Sequence, residues 1–231
     1  MISDANPVGC ERLRVVTFNH HDFDGNDQRV GKVVVLDAVA KNVQIIFDAL
    51  YDRGFVISSA RLMEDYAGSD DASMDDNNTS AFNGRNITGG GSWSNHAYGA
   101  AIDLNPLQNP FISIGQDGSA TIAPVAAARS SVNRLDQRPN KPLLAGKAEE
   151  VVALFADNGF INWGGYWNFP IDYQHFELGN KTFIKRLASS SPEAAEQIFD
   201  SYVSTYRHCV ARNSTLPEAV ARKVCAERAM K

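Results

Sequence analysis

The stretch Ser94-Asn95-His96-Ala97-Tyr98-Gly99-Ala100-Ala101-Ile102-Asp103 sets one imidazole and one carboxylate seven positions apart. Gly99 permits a turn or close backbone approach that a side chain would block. Ala100 to Leu104 then reads as a strand, with Asp103 on the face opposite Ile102 and Leu104. A second stretch, Asp172-Tyr173-Gln174-His175-Phe176-Glu177, brings another imidazole flanked by acids. His96, Asp103 and His175 form a His-Asp-His set, suited to a catalytic zinc that takes three protein N/O ligands and keeps a fourth position open. Asp172, three residues before His175, is the natural proton acceptor for a water at that position, and Glu177 shares a strand face with His175 and so orients that ligand.

The ten residues from Ser94 to Asp103 fit the Ser-x-His-x-x-Gly-x-Ala-x-Asp signature of the M15 zinc peptidases. Asp172-x-x-His175-Phe-Glu is similar to that family's acid-x-x-His motif, and it follows an aromatic segment, Trp163-Gly164-Gly165-Tyr166-Trp167. The resemblance runs from about Asn77 to Leu178. It implies an α+β fold of the Hedgehog/DD-peptidase type, in which a small antiparallel sheet carries the metal ligands and packs against helices. It also implies one Zn²⁺ held by His96, Asp103 and His175, with Asp172 as general base and then acid. By the same resemblance Arg85, closing Thr79 to Arg85, faces the site and holds a substrate carboxylate or an oxyanion; its alternative is a surface arginine. Ser94, Tyr98 and Trp163 are candidate substrate contacts, although Trp163, Tyr166 and Trp167 serve equally well as core aromatics. Asp172 stands where some branches carry Glu, which leaves the branch open.

The activity so implied is zinc-dependent hydrolysis of a peptide bond in peptidoglycan stem peptides, first as a D,D- or L,D-carboxypeptidase. A phage- or secretion-delivered endopeptidase is the alternative, and a non-catalytic, zinc-containing module that binds cell-wall peptide is another. That substrate points to the cell envelope, periplasm or exterior. The N-terminus, however, shows no basic n-region and no apolar h-region, so a leader removed beforehand or another delivery route is expected.

Composition is ordinary for a soluble globular protein. At 231 residues, 44% hydrophobic and 21% charged, the chain has material for a sizeable core. A net charge of -5 offers no field for nucleic acid. No apolar run is long enough to cross a bilayer. We expect an M15-like domain over 1-180 and a helical extension over 181-231 packed on it. Cys209 and Cys225 fall in the last two helical segments, where they either cross-link in an oxidising compartment or remain two buried thiols. Cys10 has no obvious partner.

Elsewhere the patterns are structural. Leu13 to Phe18 and Gly31 to Leu36 read as strands joined by a turn-rich loop, His20 to Asp27, whose adjacent histidines point to opposite faces. Asp37 reads as the cap of a helix whose stripe is Val39, Val43, Ile46, Phe47 and Leu50, closed by Gly54. Phe55 to Leu62 reads as a strand, and 64-79 as a solvated acidic loop without the ligand pattern of a calcium loop. Gly89-Gly90-Gly91 reads as a flexible approach to the first ligand. Phe111 to Ile114 pairs with 121-123 as a hairpin, 125-146 is a loop, and Ala148 to Asn158 is an amphipathic helix. Strands follow at 160-163 and 175-178, then helices over 192-207 and 216-230.

Overall fold

In the computed structural model, residues 5–26, 28–87, 90–135 and 138–229 are described. Asp27 and Gly89, which belong to the predicted loops, and Met230, at the end of the last predicted helix, lie outside them. The first pair of strands, β1 (Leu13–His20) and β2 (Arg29–Leu36), forms an antiparallel hairpin in the register Leu13 to Leu36. Helix α1 (Ala40–Asp52) follows a short 3-10 turn at Asp37–Val39. Val39, Val43, Ile46, Phe47 and Leu50 are all fully buried, as the stripe predicted. Asp37 is not the helix cap: its carboxylate accepts the Ala38 N–H at 2.7 Å and grips Arg12, whose guanidinium also donates to the Ala188 and Ser190 carbonyls. That cluster ties the start of the chain to its C-terminal helices.

Two segments depart from expectation. Phe55 to Leu62 forms no strand, only isolated bridges at Val56 and Ser59. Two of its backbone donors are taken by side chains, Ser58 N–H by Asn105 Oδ1 at 3.1 Å and Arg61 N–H by Asn78 Oδ1 at 2.7 Å, while Ile57 N–H goes to the His21 carbonyl at 2.8 Å. The acidic stretch 64-79 is not a solvated loop. It folds into a 3-10 turn, Met63–Tyr66, and a short helix α2 (Asp70–Asp75), which Ser69 caps by accepting the Ala72 N–H. Asn77, Asn78 and Thr79 at its end are buried, because Asn78 satisfies the facing backbone. Local composition reports the acids but not the partner that buries the asparagines.

The central sheet is small and antiparallel, in the order β3 (Ala101–Asp103), β8 (His175–Glu177), β6 (Asn162–Trp163). Asp103 pairs directly with His175 across β3 and β8. A second sheet joins β5 (Ala120–Ala123), β4 (Phe111–Ile114) and β7 (Ile171–Asp172). One face of the central sheet presents Ile102 and Phe176, both fully buried; the other presents the titratable side chains. The predicted helix at 148-158 begins as a 3-10 turn, and α3 proper spans Val152–Asp157.

The C-terminal region holds α4 (Lys181–Ser189), which the sequence did not suggest, then α5 (Pro192–Arg212) and α6 (Glu218–Ala229). Ile184, Leu187, Ala195, Phe199 and Tyr206 from α4 and α5 join the same hydrophobic core as α1 and the central sheet. Cys209 and Cys225 form a disulfide between α5 and α6, and Cys10 is free and exposed. Among the described residues no helix is long and apolar enough to cross a membrane. The architecture is α+β, with helices against small antiparallel sheets.

Candidate metal centre

The first ligand is delivered by a 3-10 turn, His96–Tyr98, ended by Gly99 at φ 65°. A Cβ on Gly99 would lie 2.5 Å from the Leu36 nitrogen, so glycine is required both for the left-handed backbone and for the packing of this turn on the end of β2. The turn sets His96 against Asp103 and His175, which arrive on paired strands.

His96 Nε2 lies 3.2 Å from Asp103 Oδ2 and 3.2 Å from His175 Nδ1, and His175 Nδ1 lies 3.0 Å from Asp103 Oδ1. Ligand atoms around a tetrahedral zinc with bonds of 2.0–2.1 Å stand about 3.3 Å apart. The protons are fixed from behind. His96 Nδ1 meets the Ala81 carbonyl at 2.5 Å, and a carbonyl only accepts, so Nδ1 carries the hydrogen. His175 has a carboxylate at each nitrogen, Glu177 Oε2 at Nε2 and Asp103 Oδ1 at Nδ1, both at 3.0 Å; with Nε2 donating to Glu177, the neutral ring leaves Nδ1 to face inward. In the neutral rings both inward nitrogens therefore present bare lone pairs to each other and to a carboxylate. Three acceptors converge on a buried point with no donor among them, and only a proton or a cation relieves that. The donor set fits a divalent metal of borderline softness.

Without a cation, the electrostatics place a proton there. Burial raises Asp103, but the two imidazoles outweigh it and hold the carboxyl well below its usual range. Burial lowers His175, but its hydrogen bonds to Asp103 and Glu177 prevail and raise it well above an ordinary imidazole. Glu177 is likewise held below its usual value despite burial, by His175, Asn95 and Asn162. Asn95 Nδ2 donates to its Oε2 at 2.5 Å and Asn162 Nδ2 to its Oε1 at 2.6 Å.

Asp172 lines the same cleft, a cavity of about 1100 Å³. Its Oδ1 is buried with no hydrogen-bond partner. Burial, with the nearby charge of Asp103, pushes its carboxyl up to about 7. Gly164 makes room for it, since a Cβ there would lie 2.4 Å from the Asp172 carbonyl oxygen.

The remaining candidates divide. Ser94 and Tyr98 are buried at the cleft wall; Ser94 Oγ accepts the His96 N–H at 3.3 Å, and Lys181 Nζ sits 4.5 Å from the centre of the Tyr98 ring. Arg85 reaches the cleft, but its Nε is paired with Asp70 and its Nη1 donates to the Asn86 carbonyl at 3.0 Å. Trp163 is not a cleft residue. It is buried against Phe176 and Tyr166, and its indole N–H donates to the Tyr173 carbonyl at 2.8 Å. Within the Trp163–Trp167 segment it is Trp167 that lines the cleft, with its ring 5.4 Å from that of His175 and its N–H on Asn162 Oδ1. Sequence reading passed over Asn95, Asn162 and Lys181. Asn95 stands at a variable position of the signature, and the other two become significant only through strand pairing and helix packing.

Residues 88–178 match a family model described as D-alanyl-D-alanine carboxypeptidase, an M15 peptidase family. This segment is similar to the M15 peptidases. M15 peptidases depend on a metal, and His96, Asp103 and His175 all lie within the M15 segment. Arg85 and Lys181 lie just outside it, on either side. No curated protein and no solved structure matches the chain.

Proposed function

We propose that the chain is a zinc peptidase that hydrolyses a peptide bond in peptidoglycan stem peptides, with residues 1–180 as the peptidase domain and 181–231 as a helical extension packed on it. The observation that carries this is the convergence of His96 Nε2, Asp103 and His175 Nδ1, three ligand atoms at metal-site spacing, on the wall of a cleft that also holds a carboxyl with one unpartnered oxygen. A zinc ion held by these three residues would supply a Lewis acid for the scissile carbonyl and lower the pKa of a water. Asp172, whose Oδ1 has no hydrogen-bond partner, would serve as the proton acceptor for the attacking water and as the donor to the leaving amine. Its raised pKa suits both halves of that task. Glu177 holds His175 with Nδ1 facing inward, and Ala81 does the same for His96 Nε2. Trp167 shields one side of the His175 ring. Work on such a substrate takes place in the cell envelope, the periplasm or outside the cell.

Carboxypeptidase action, D,D or L,D, needs a cation for the terminal carboxylate, and Arg85 is the candidate. An endopeptidase reading is favoured by one observation: Asp70 lies against Arg85 Nε, so a substrate carboxylate would meet a guanidinium whose charge is already paired. Digestion of purified peptidoglycan, read by mass spectrometry with chelator and with Zn²⁺ restored, tests the proposal. Chelator-sensitive loss of one alanine establishes the carboxypeptidase, and internal cleavage establishes the endopeptidase. Unchanged wall peptides alongside demonstrated zinc binding refute hydrolysis and leave the binding module.

A further inference from the structure

Lys181 opens α4, three residues past the M15 segment. It stands at the N-terminal end of a helix, where the macrodipole disfavours a cation. Its Nζ is also partly desolvated, and burial lowers its pKa although Glu177 opposes that. Two costs at one lysine call for compensating contacts, and all three that it makes fall on the segment that delivers His96. Nζ donates to the Trp93 carbonyl at 2.5 Å and to Asn95 Oδ1 at 2.7 Å, and it lies over the Tyr98 ring.

The Asn95 contact has a consequence beyond packing. An ammonium only donates, so it fixes the amide with Oδ1 toward Lys181 and the Nδ2 donor toward Glu177. Asn95 Nδ2 then donates to Glu177 Oε2, the oxygen that also accepts from His175 Nε2. Without the lysine, the Asn95 amide is free to turn its oxygen on Glu177. Two acceptors would then face each other, and the carboxylate would be less able to hold the Nε2 hydrogen.

We infer that Lys181 is a positioning residue of the metal centre, which sets the inward tautomer of His175 through Asn95 and Glu177. The inference rests on the metal reading proposed above. It makes the first helix after the M15 segment part of the site, not a covering. Groups that orient a metal-bound histidine are worth about 10–100-fold in metal affinity. Lys181 acts two hydrogen bonds further out than Glu177, so a loss at the low end, about 10-fold, is expected.

The test uses the full chain and Zn²⁺ with a competing chelator. Lys181→Met keeps the aliphatic stem over Tyr98 and removes the donors; Lys181→Arg restores donors. The Met variant should bind Zn²⁺ about 10-fold more weakly and the Arg variant close to wild type. In a double variant with Glu177→Gln, removing the lysine should add almost nothing to the loss from Glu177→Gln alone, because both act through one chain of bonds. Should Lys181→Met fail to fold, Lys181→Leu takes its place. Equal Zn²⁺ affinity in the wild type and the Met variant, with only the thermal midpoint lowered, would reduce the lysine to a fastener of α4 and overturn the inference. Fully additive losses would overturn it too. A wild-type chain that binds no Zn²⁺ removes the metal reading, and this inference falls with it.

Discussion

Replacing Asp172 by asparagine should make the metal-free protein more stable and the enzyme nearly inactive. Burial and the charge of Asp103 hold the carboxyl at about 7, against an ordinary 3.8. That gap corresponds to about 4 kcal/mol against the ionised form. The residue is not fully shut from solvent, and screening reduces the realised figure to about 2 kcal/mol. The pH dependence follows from the direction of the shift. An acid whose folded pKa is raised costs nothing while it is protonated in both states. Stability is lost as pH climbs from the unfolded value near 4 through the folded value near 7. Scanning calorimetry of chelated protein should therefore find Asp172→Asn close to wild type at pH 4. At pH 8 it should melt higher by about 4–8 °C. The same variant should lose at least 100-fold in peptide hydrolysis, the contribution of a positioned acid-base group. A variant that melts lower at pH 8, or a gap that does not change with pH, would refute the account of the buried carboxyl. Retained activity would refute its role as base.

Two further perturbations probe the scaffold. Gly99→Ala adds a Cβ 2.5 Å from the Leu36 nitrogen at a left-handed backbone position, so it should cost about 2 kcal/mol or more and weaken Zn²⁺ binding through displacement of His96; thermal melts and chelator competition would read both. Reduction of Cys209–Cys225 releases a constraint worth about 3 kcal/mol in the unfolded chain. Because α6 buries only Ala221 and Cys225, we expect amide exchange to accelerate over 218–229 while β3 and β8 stay protected.

What the sequence conveyed was whatever local spacing decides. The alternation around Asp103 and the three-residue step from Asp172 to His175 needed no knowledge of the rest of the chain, and strand pairing then brought Asp103 opposite His175. The α1 stripe was legible for the same reason. The strand expected at 55–62 is broken up where the Ser58 and Arg61 N–H groups turn to Asn105 and Asn78, whose roles no local pattern announces. Trp163 and Trp167 are indistinguishable in a run of aromatics; β6 sends the first into the core and leaves the second on the cleft.

The choice of substrate bond illustrates the deeper limit. A single arginine before the first motif favours recognition of a terminal carboxylate, and a sequence presents Arg85 as that free cation. Folding of 64–79 into α2 brings Asp70 onto it, so the same residue enters the cleft already neutralised. A substrate carboxylate at Arg85 meets a charge already paired, whereas a backbone carbonyl or an internal peptide does not depend on that charge. Arg85→Gln therefore separates the readings: it should raise KM for a substrate with a free terminal carboxylate and leave cleavage of an internal bond nearly unchanged. The discriminating charge lies in α2, a segment whose composition resembles solvated loop, and its effect depends on a fold that the motif residues alone do not determine.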